Sequence, residues 1–372
     1  MSNPPVSTSP RPPWRFLVVN FVISRLWLVI VAGLSLLVVK KGKFYTAPHS
    51  ILDWFKQWDA GWYLDIVRHG YQYLPGQQCS VCFFPMYPLL VRALAGCGID
   101  DRLAGYLVAN GALFATTVVL WKLAVHELGD ASTANRTVQF LLLTPVGVFF
   151  SAIYTESIFL FWLVSALYLA RTQRWLLAGL CAYATALSRP VGLLVIIPLA
   201  IEYLLQQRWQ PDFRRPGHWR VLACCALPGL GLLSYMAYLG WAFGEPLAFM
   251  KVEAAWGRQL TWPWIAFFRQ LIPFYTIWFD SFAVVALVLL ILGGLWRLRL
   301  TYIAVIIFFT LICLCSSRLE ALPRFLSVLF PFYLVLALLT KKWPKLTPVI
   351  FIIFAALQAL SVGLFVNGYW FT

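Results

Sequence analysis

Charge is scarce in this chain: only 12% of its 372 residues are Asp, Glu, Lys or Arg, 14 are acidic and 4 are His. A soluble domain carries about a quarter charged residues, so a surface built for water is excluded. Phosphate-cradling and acyl-transfer loops are missing too. There is no Gly-x-Gly-x-x-Gly, no Walker-type loop and no Gly-x-Ser-x-Gly, which argues against direct use of a nucleotide and against an acyl-serine mechanism. No internal repeat is visible, and no two interrupted spans occupy matching positions in two halves, which weakens a repeat-built transporter. The Ser/Pro-rich stretch from Met1 to Pro13 lacks the compact pattern of a cleavable signal peptide, so the first apolar run is expected to stay as a helix.

What is present is apolar. The hydrophobic share is 61% and mean hydropathy is +0.78, values that require lipid as the solvent. Aromatic residues reach 17%, with 18 Trp, 16 Tyr and 29 Phe, as suits helix ends anchored in the headgroup zone. The net charge of +15 comes from basic residues scattered in short loops, not from one patch. Attraction to membrane lipids and orientation by basic loops explain it, and no nucleic-acid partner is expected. Of the 8 cysteines, Cys181, Cys224, Cys225, Cys313 and Cys315 lie in or beside apolar runs and read as packing. Cys79, Cys82 and Cys97 fall in a polar segment, where the spacing leaves a Cys79–Cys82 disulfide and free thiols equally open.

Apolar stretches occur at 16–39, 103–125, 136–154, 157–170, 175–188, 190–207, 220–243, 281–296, 300–316, 323–340 and 346–366. They predict an all-α polytopic membrane protein with about 10–11 transmembrane helices. Pro190, flanked by apolar sequence, fits either a tight turn between two spans or one kinked helix. With the N-terminus cytoplasmic, the loops holding Arg171 and Arg174, Arg208 to Arg220, Arg297 and Arg299, and Lys341 to Lys345 fall inside, as the positive-inside rule demands. Residues 1–372 then form a single transmembrane domain. It has a cytoplasmic tail at 1–15 and long outer segments at 40–102, with interfacial helices, and at 244–280. Most of the acids fall on the outer face, Asp53, Asp59, Asp65, Glu156, Glu253, Asp280 and Glu320 among them, so carboxylate chemistry belongs there.

The segment from Asp53 to Tyr71 is too polar to cross a bilayer and too apolar for a free loop. It predicts a helix lying along the interface that holds Asp59 at the membrane surface. A carboxylate there can take the proton from a sugar hydroxyl as that oxygen attacks an anomeric carbon; alternatively, Asp59 is only the N-cap of a helix beginning at Ala60. Asp53 and Asp65 read as solvated or capping residues. Arg189 and Arg324, at outer span ends, offer donor forks suited to phosphate oxygens or simply snorkel to headgroups. Glu156, between two spans, needs a partner: sugar hydroxyls or an arginine. Arg68 and His69 serve a phosphate or acceptor or are ordinary interfacial residues. Trp58, Trp62 and Tyr63 stack on a sugar or belong to the aromatic belt. Asp59 and Asp65 are not one helical turn apart, so the expected chemistry uses no metal.

Four motifs together resemble one family. Trp58-Asp59-Ala60-Gly61-Trp62-Tyr63, running on to His69-Gly70-Tyr71 and Phe83-Phe84-Pro85, is similar to the PIG-V mannosyltransferases and their bacterial relatives. So are Tyr154-Thr155-Glu156-Ser157, Ser188-Arg189-Pro190-Val191-Gly192 and Pro323-Arg324-Phe325 ahead of Phe330-Pro331. The set spreads in order over most of the chain.

The resemblance implies a GT-C-type glycosyltransferase bundle in which a polyprenyl-phosphate sugar meets a glycan or lipid acceptor at the outer interface. It places the catalytic base at Asp59 and implies an inverting transfer, of mannose, with no cofactor beyond the lipid-linked donor. Donor-phosphate binding would fall to Arg189 and Arg324, and substrate contacts to Glu156, His69, Trp58, Tyr63 and Arg68. The competing expectations are a non-enzymatic polyprenyl-lipid or solute transporter, for which Arg25 is the clearest mid-span charge, and a GT-C transferase of another sugar.

Overall fold

The computed structural model describes residues 11–212, 214–265, 298–317 and 321–370. The span expected at 281–296, with Asp280 and Glu320, lies outside the described residues. Among those described, the regular structure is helical apart from one isolated β-bridge, Leu260 to Ser316.

Most helices sit where the apolar runs put them: α1 (Trp14–Val38), α4 (Asp101–Leu128), α6 (Glu156–Arg171), α7 (Trp175–Ser188), α8 (Ile196–Gln206), α9 (Pro216–Phe243), α11 (Leu300–Leu314) and α14 (Leu346–Val366). Four of these, α1, α4, α9 and α14, are each long and apolar enough to cross a membrane alone. Shorter ones such as α6 are wrapped by neighbours; Phe159, Leu160, Leu163, Val164 and Leu167 are all buried in the main core. The helices α2 (Ala60–His69) and α3 (Met86–Gly96) lie in the first outer segment, and α10 (Ala248–Glu253) in the second.

Two expected spans are interrupted, each at a proline. The run at 136–154 is α-helical only in α5 (Ala131–Leu142), because Pro145 has no N–H to continue the ladder. The orphaned carbonyls of Leu142 and Thr144 accept instead from the Gln358 side-chain amide of α14, at 3.1 and 2.8 Å, so the break is welded to another helix. The run at 323–340 divides into α12 (Leu322–Ser327) and α13 (Pro331–Lys342), where Tyr333 Oη donates to the Ser327 carbonyl at 2.7 Å. At Pro190 the structure chooses the turn: Arg189 is extended and ends α7, and a 3-10 turn over Pro190–Val195 leads back into α8. Gly192 lies so close to the Thr185 carbonyl that a Cβ would not fit.

The longer helices pack side by side, α6 against α4 and α7, and α7 against α9. At one end of the bundle the basic loops are tied down, by Arg171 to Glu127 at 2.7 Å, Arg299 to Glu202 at 2.6 Å and Lys341 to Asp130 at 2.7 Å. At the other end α2 buries Ala60, Tyr63, Leu64, Ile66 and Val67 against α3, α4 and the 147–153 segment. A smaller cluster of Val81, Phe84, Tyr235, Phe249 and Val252 locks the two outer segments together. Tyr235 Oη donates to the Val81 carbonyl at 2.8 Å within it.

Arg25, the mid-span charge, donates to Ser151, whose hydroxyl in turn donates to Asn110 at 2.9 Å. It belongs to a fixed polar cluster among α1, α4 and the 147–153 segment.

Candidate active site

A cavity of about 750 Å³ opens between the outer segments and the helix ends beneath them. Its lining is partly aromatic and polar, with Trp58, Asp59, Gln78, Phe83, Glu253 and Trp256, and partly apolar, with Val191, Phe309, Ile312, Phe325 and Val328. Arg189, Arg258 and Arg324 line it as well.

Asp59 precedes α2 but its side chain caps no backbone N–H, so the capping alternative is not what the structure shows. Its Oδ2 instead takes Nη1 of Arg324 at 2.6 Å, across 265 residues of sequence. Arg324 Nε donates to Oε1 of Glu156, and Arg189 Nη2 reaches that same oxygen at 2.8 Å. One residue from each of the four motifs thus enters a single ion-pair chain, Asp59–Arg324–Glu156–Arg189. Glu156 is 0% exposed and is absent from the cavity wall; its two arginines take the partner role, and the sugar role finds no access. Its Oε2 is buried with no partner among the described residues.

Local backbone geometry aims Asp59. Trp58 holds φ at +57°, a conformation that costs a bulky residue about 1–3 kcal/mol and needs outside support. Tyr154 supplies it: its hydroxyl accepts from the Asp59 N–H at 3.2 Å and donates to the Gln57 carbonyl at 2.9 Å. The Tyr154 ring also carries the Arg324 guanidinium 4.4 Å above its centroid. Tyr63 donates to Thr155 Oγ1 at 3.3 Å, and Trp58 meets Phe44 and Trp370 edge to face. Both line the cavity.

Two expected contacts are not brought to this site. Arg68 pairs with Asp101, and His69 Nδ1 meets Asp65 Oδ1 at 2.7 Å on the exposed surface. Helical rise puts them about 14 Å along α2 from Asp59, at the C-terminal end where cations are favoured. Asp53 caps a 3-10 turn through the His49 and Ser50 N–H groups and binds Arg102 at 3.1 Å. All eight cysteines are free, so Cys79 and Cys82 form no bridge.

Glu253 and Arg258 were not among the expected site residues. They sit in a stretch of the second outer segment without periodicity, and only the fold brings them over the cavity. Burial raises the Glu253 carboxyl above its ordinary range; Arg258 opposes the shift and the Asp59 charge adds to it.

Residues 42–213 match the family model described as Mannosyltransferase (PIG-V). This stretch contains the first three motifs; Pro323-Arg324-Phe325 lies beyond it. The chain is 33% identical over 156 residues to a GPI mannosyltransferase 2 of Cryptococcus neoformans, covering 38% of this chain and 35% of that protein. It is 30% identical over 176 residues to the human GPI alpha-1,6-mannosyltransferase 2, covering 44% of this chain and 33% of the relative. The matched region therefore spans about a third of the length of these relatives. Among solved structures, ArnT from Cupriavidus metallidurans bound to undecaprenyl phosphate superposes with a TM-score of 0.54 at 14% identity, over 95% of this chain and 76% of that one. That likeness shows the fold, a GT-C-type helical bundle, as the sequence motifs imply.

Proposed function

We propose that this protein is an inverting glycosyltransferase that moves a sugar, mannose on the strength of its relatives, from a polyprenyl-phosphate donor to an acceptor hydroxyl. The observation that carries it is the ion-pair chain joining Asp59, Arg324, Glu156 and Arg189 at the edge of one cavity. The match to mannosyltransferases over residues 42–213 supports the reaction class, and the likeness to an undecaprenyl-phosphate-bound ArnT supports a lipid-phosphate donor.

In this scheme Asp59 Oδ1, which makes no hydrogen bond to a described residue, takes the proton of the acceptor hydroxyl. The acceptor oxygen attacks the anomeric carbon from the face opposite the phosphate. The bond between that carbon and the phosphate oxygen breaks, its electron pair leaves with the polyprenyl phosphate, and configuration inverts. Arg324 and Arg189 keep donors beyond those spent on Asp59 and Glu156, and these stabilise the charge developing on the leaving phosphate. Trp58, Phe83 and Trp256 offer aromatic faces to sugar rings, and the apolar part of the lining accepts the first prenyl units. No cofactor enters the scheme.

The basic loops tied down at the end of the bundle away from the cavity support a cytoplasmic N-terminus and a cavity on the non-cytoplasmic side. Incubating the purified protein with radiolabelled polyprenyl-phosphate mannose and membrane extract tests the proposal. Label in a new glycosidic product supports it; movement of labelled lipid across liposomes without such a product points to a transporter instead.

A further inference from the structure

Counting charge in the cavity exposes a shortfall. Arg189 and Arg324 bring two positive charges, and Asp59 and Glu156, bonded to them, bring two negative ones. These four residues together are neutral. An anionic phosphate entering a partly desolvated cavity needs charged donors to replace its hydration, and Arg189 and Arg324 already share theirs with carboxylates.

Arg258 shares none of its donors. It lines the cavity, and among the described residues its guanidinium makes no ion pair and no hydrogen bond; it lies over the face of Phe325, 5.4 Å from the ring centroid. The same ring has Arg189 at 5.0 Å and Arg324 at 5.7 Å, so three guanidiniums converge on one side chain. Arg258 is held there by its backbone. Its N–H donates to the Glu253 carbonyl at 3.0 Å past Gly257, whose φ is +70°. The residues that follow are stitched to the end of α11, through Gln259 N–H to Ser317 Oγ at 2.9 Å, Ser317 N–H to the Gln259 carbonyl at 2.8 Å and Thr261 N–H to the Cys315 carbonyl at 2.8 Å. A long cation without an ion pair on an anchored segment, beside two that are paired, is poised for an anion from outside the chain.

We infer that Arg258 is a phosphate-binding residue of this cavity, supplying the positive charge that receives the phosphate of a lipid-linked ligand. The assignment rests on the proposed function for the lipid-linked source, while the phosphate chemistry stands on the unpaired guanidinium beside two paired ones. Glu253 lines the same cavity and its charge acts on Arg258, but it forms no ion pair with the guanidinium, whose donors stay open to a phosphate.

The test is direct binding to the full-length protein in detergent, with decaprenyl phosphate, phosphatidylglycerol and inorganic phosphate as separate probes. Wild type is compared with Arg258→Gln, Arg258→Lys and Arg92→Gln, the last an exposed arginine of α3 outside the cavity. Arg258→Gln is expected to weaken decaprenyl phosphate binding by about tenfold or more. Arg258→Lys should recover part of the loss and Arg92→Gln none of it, all at an unchanged melting temperature, because Arg258 holds no structural ion pair. Wild-type affinity in a folded Arg258→Gln protein overturns the assignment and leaves the glycosyltransferase proposal standing. Arg258-dependent binding of phosphatidylglycerol or inorganic phosphate, without decaprenyl phosphate, keeps the phosphate site and removes the lipid-linked donor. Failure of the wild type to bind any of the three removes the site itself, and sugar transfer by that same preparation then decides the proposed function separately.

Discussion

Replacing Glu156 by Gln probes the hub of the ion-pair chain. The amide keeps the shape of the side chain but removes the charge shared by Arg189 and Arg324, whose side chains are only 12% and 9% exposed. Arg189 loses its anionic partner outright, whereas Arg324 keeps Asp59 at 2.6 Å. Stripping one partner from a buried pair costs about 3–5 kcal/mol. Two hydrogen bonds to charged groups, at about 1.5–3 kcal/mol each, give about 3–6 kcal/mol, an overlapping range by a second route. The assay is unfolding in detergent micelles followed by tryptophan fluorescence, which is blind to activity. Adding Arg189→Gln to Glu156→Gln should cost less than the sum of the two single changes, by about 1–3 kcal/mol, because the second substitution removes a cation already orphaned. A Glu156→Gln protein within about 0.5 kcal/mol of wild type, or strict additivity in the cycle, would refute the reasoning.

Two further outcomes follow from the same geometry. Tyr154→Phe deletes the hydroxyl that clamps the Trp58 turn from both sides; it should cost about 1–3 kcal/mol of stability and, by letting Asp59 drift, lower turnover about a hundredfold, read in the transfer assay. Glu253 has a folded-state carboxyl held above its ordinary value, first by burial, so the folded state keeps a proton that the unfolded chain has released. Its contribution to stability is full below pH ~4.3 and declines as pH rises through the raised folded value. Melting temperature plotted from pH 4 to 8 should fall less steeply in Glu253→Gln than in wild type, and equal slopes would rule the effect out.

Hydropathy gave the bundle because in lipid a span must satisfy its own backbone, and long apolar runs have few alternatives. It missed the breaks at Pro145 and Pro331, since apolar sequence continues through each proline and the compensating groups, Gln358 and Tyr333, come from elsewhere in the chain or beyond the break. The motif residues Asp59, Glu156, Arg189 and Arg324 were legible as candidates, and an arginine was one of the two partners expected for Glu156, but that two arginines share it and one links it to Asp59 is a property of packing. Arg68 and His69 share a motif with Asp59 yet lie at the far end of α2, because neighbourhood in sequence becomes distance along a helix. Glu253 was legible only as one of the outer-face acids and Arg258 not at all: a lone Arg and Glu in an aperiodic outer segment look like solvated charges until the cavity beneath them is seen.

The central claim, that Asp59 activates the acceptor, meets its most direct test in Asp59→Asn assayed beside wild type for both donor-lipid binding and sugar transfer. Retained binding with transfer abolished is the result the account predicts. Transfer at the wild-type rate by the asparagine variant would contradict it.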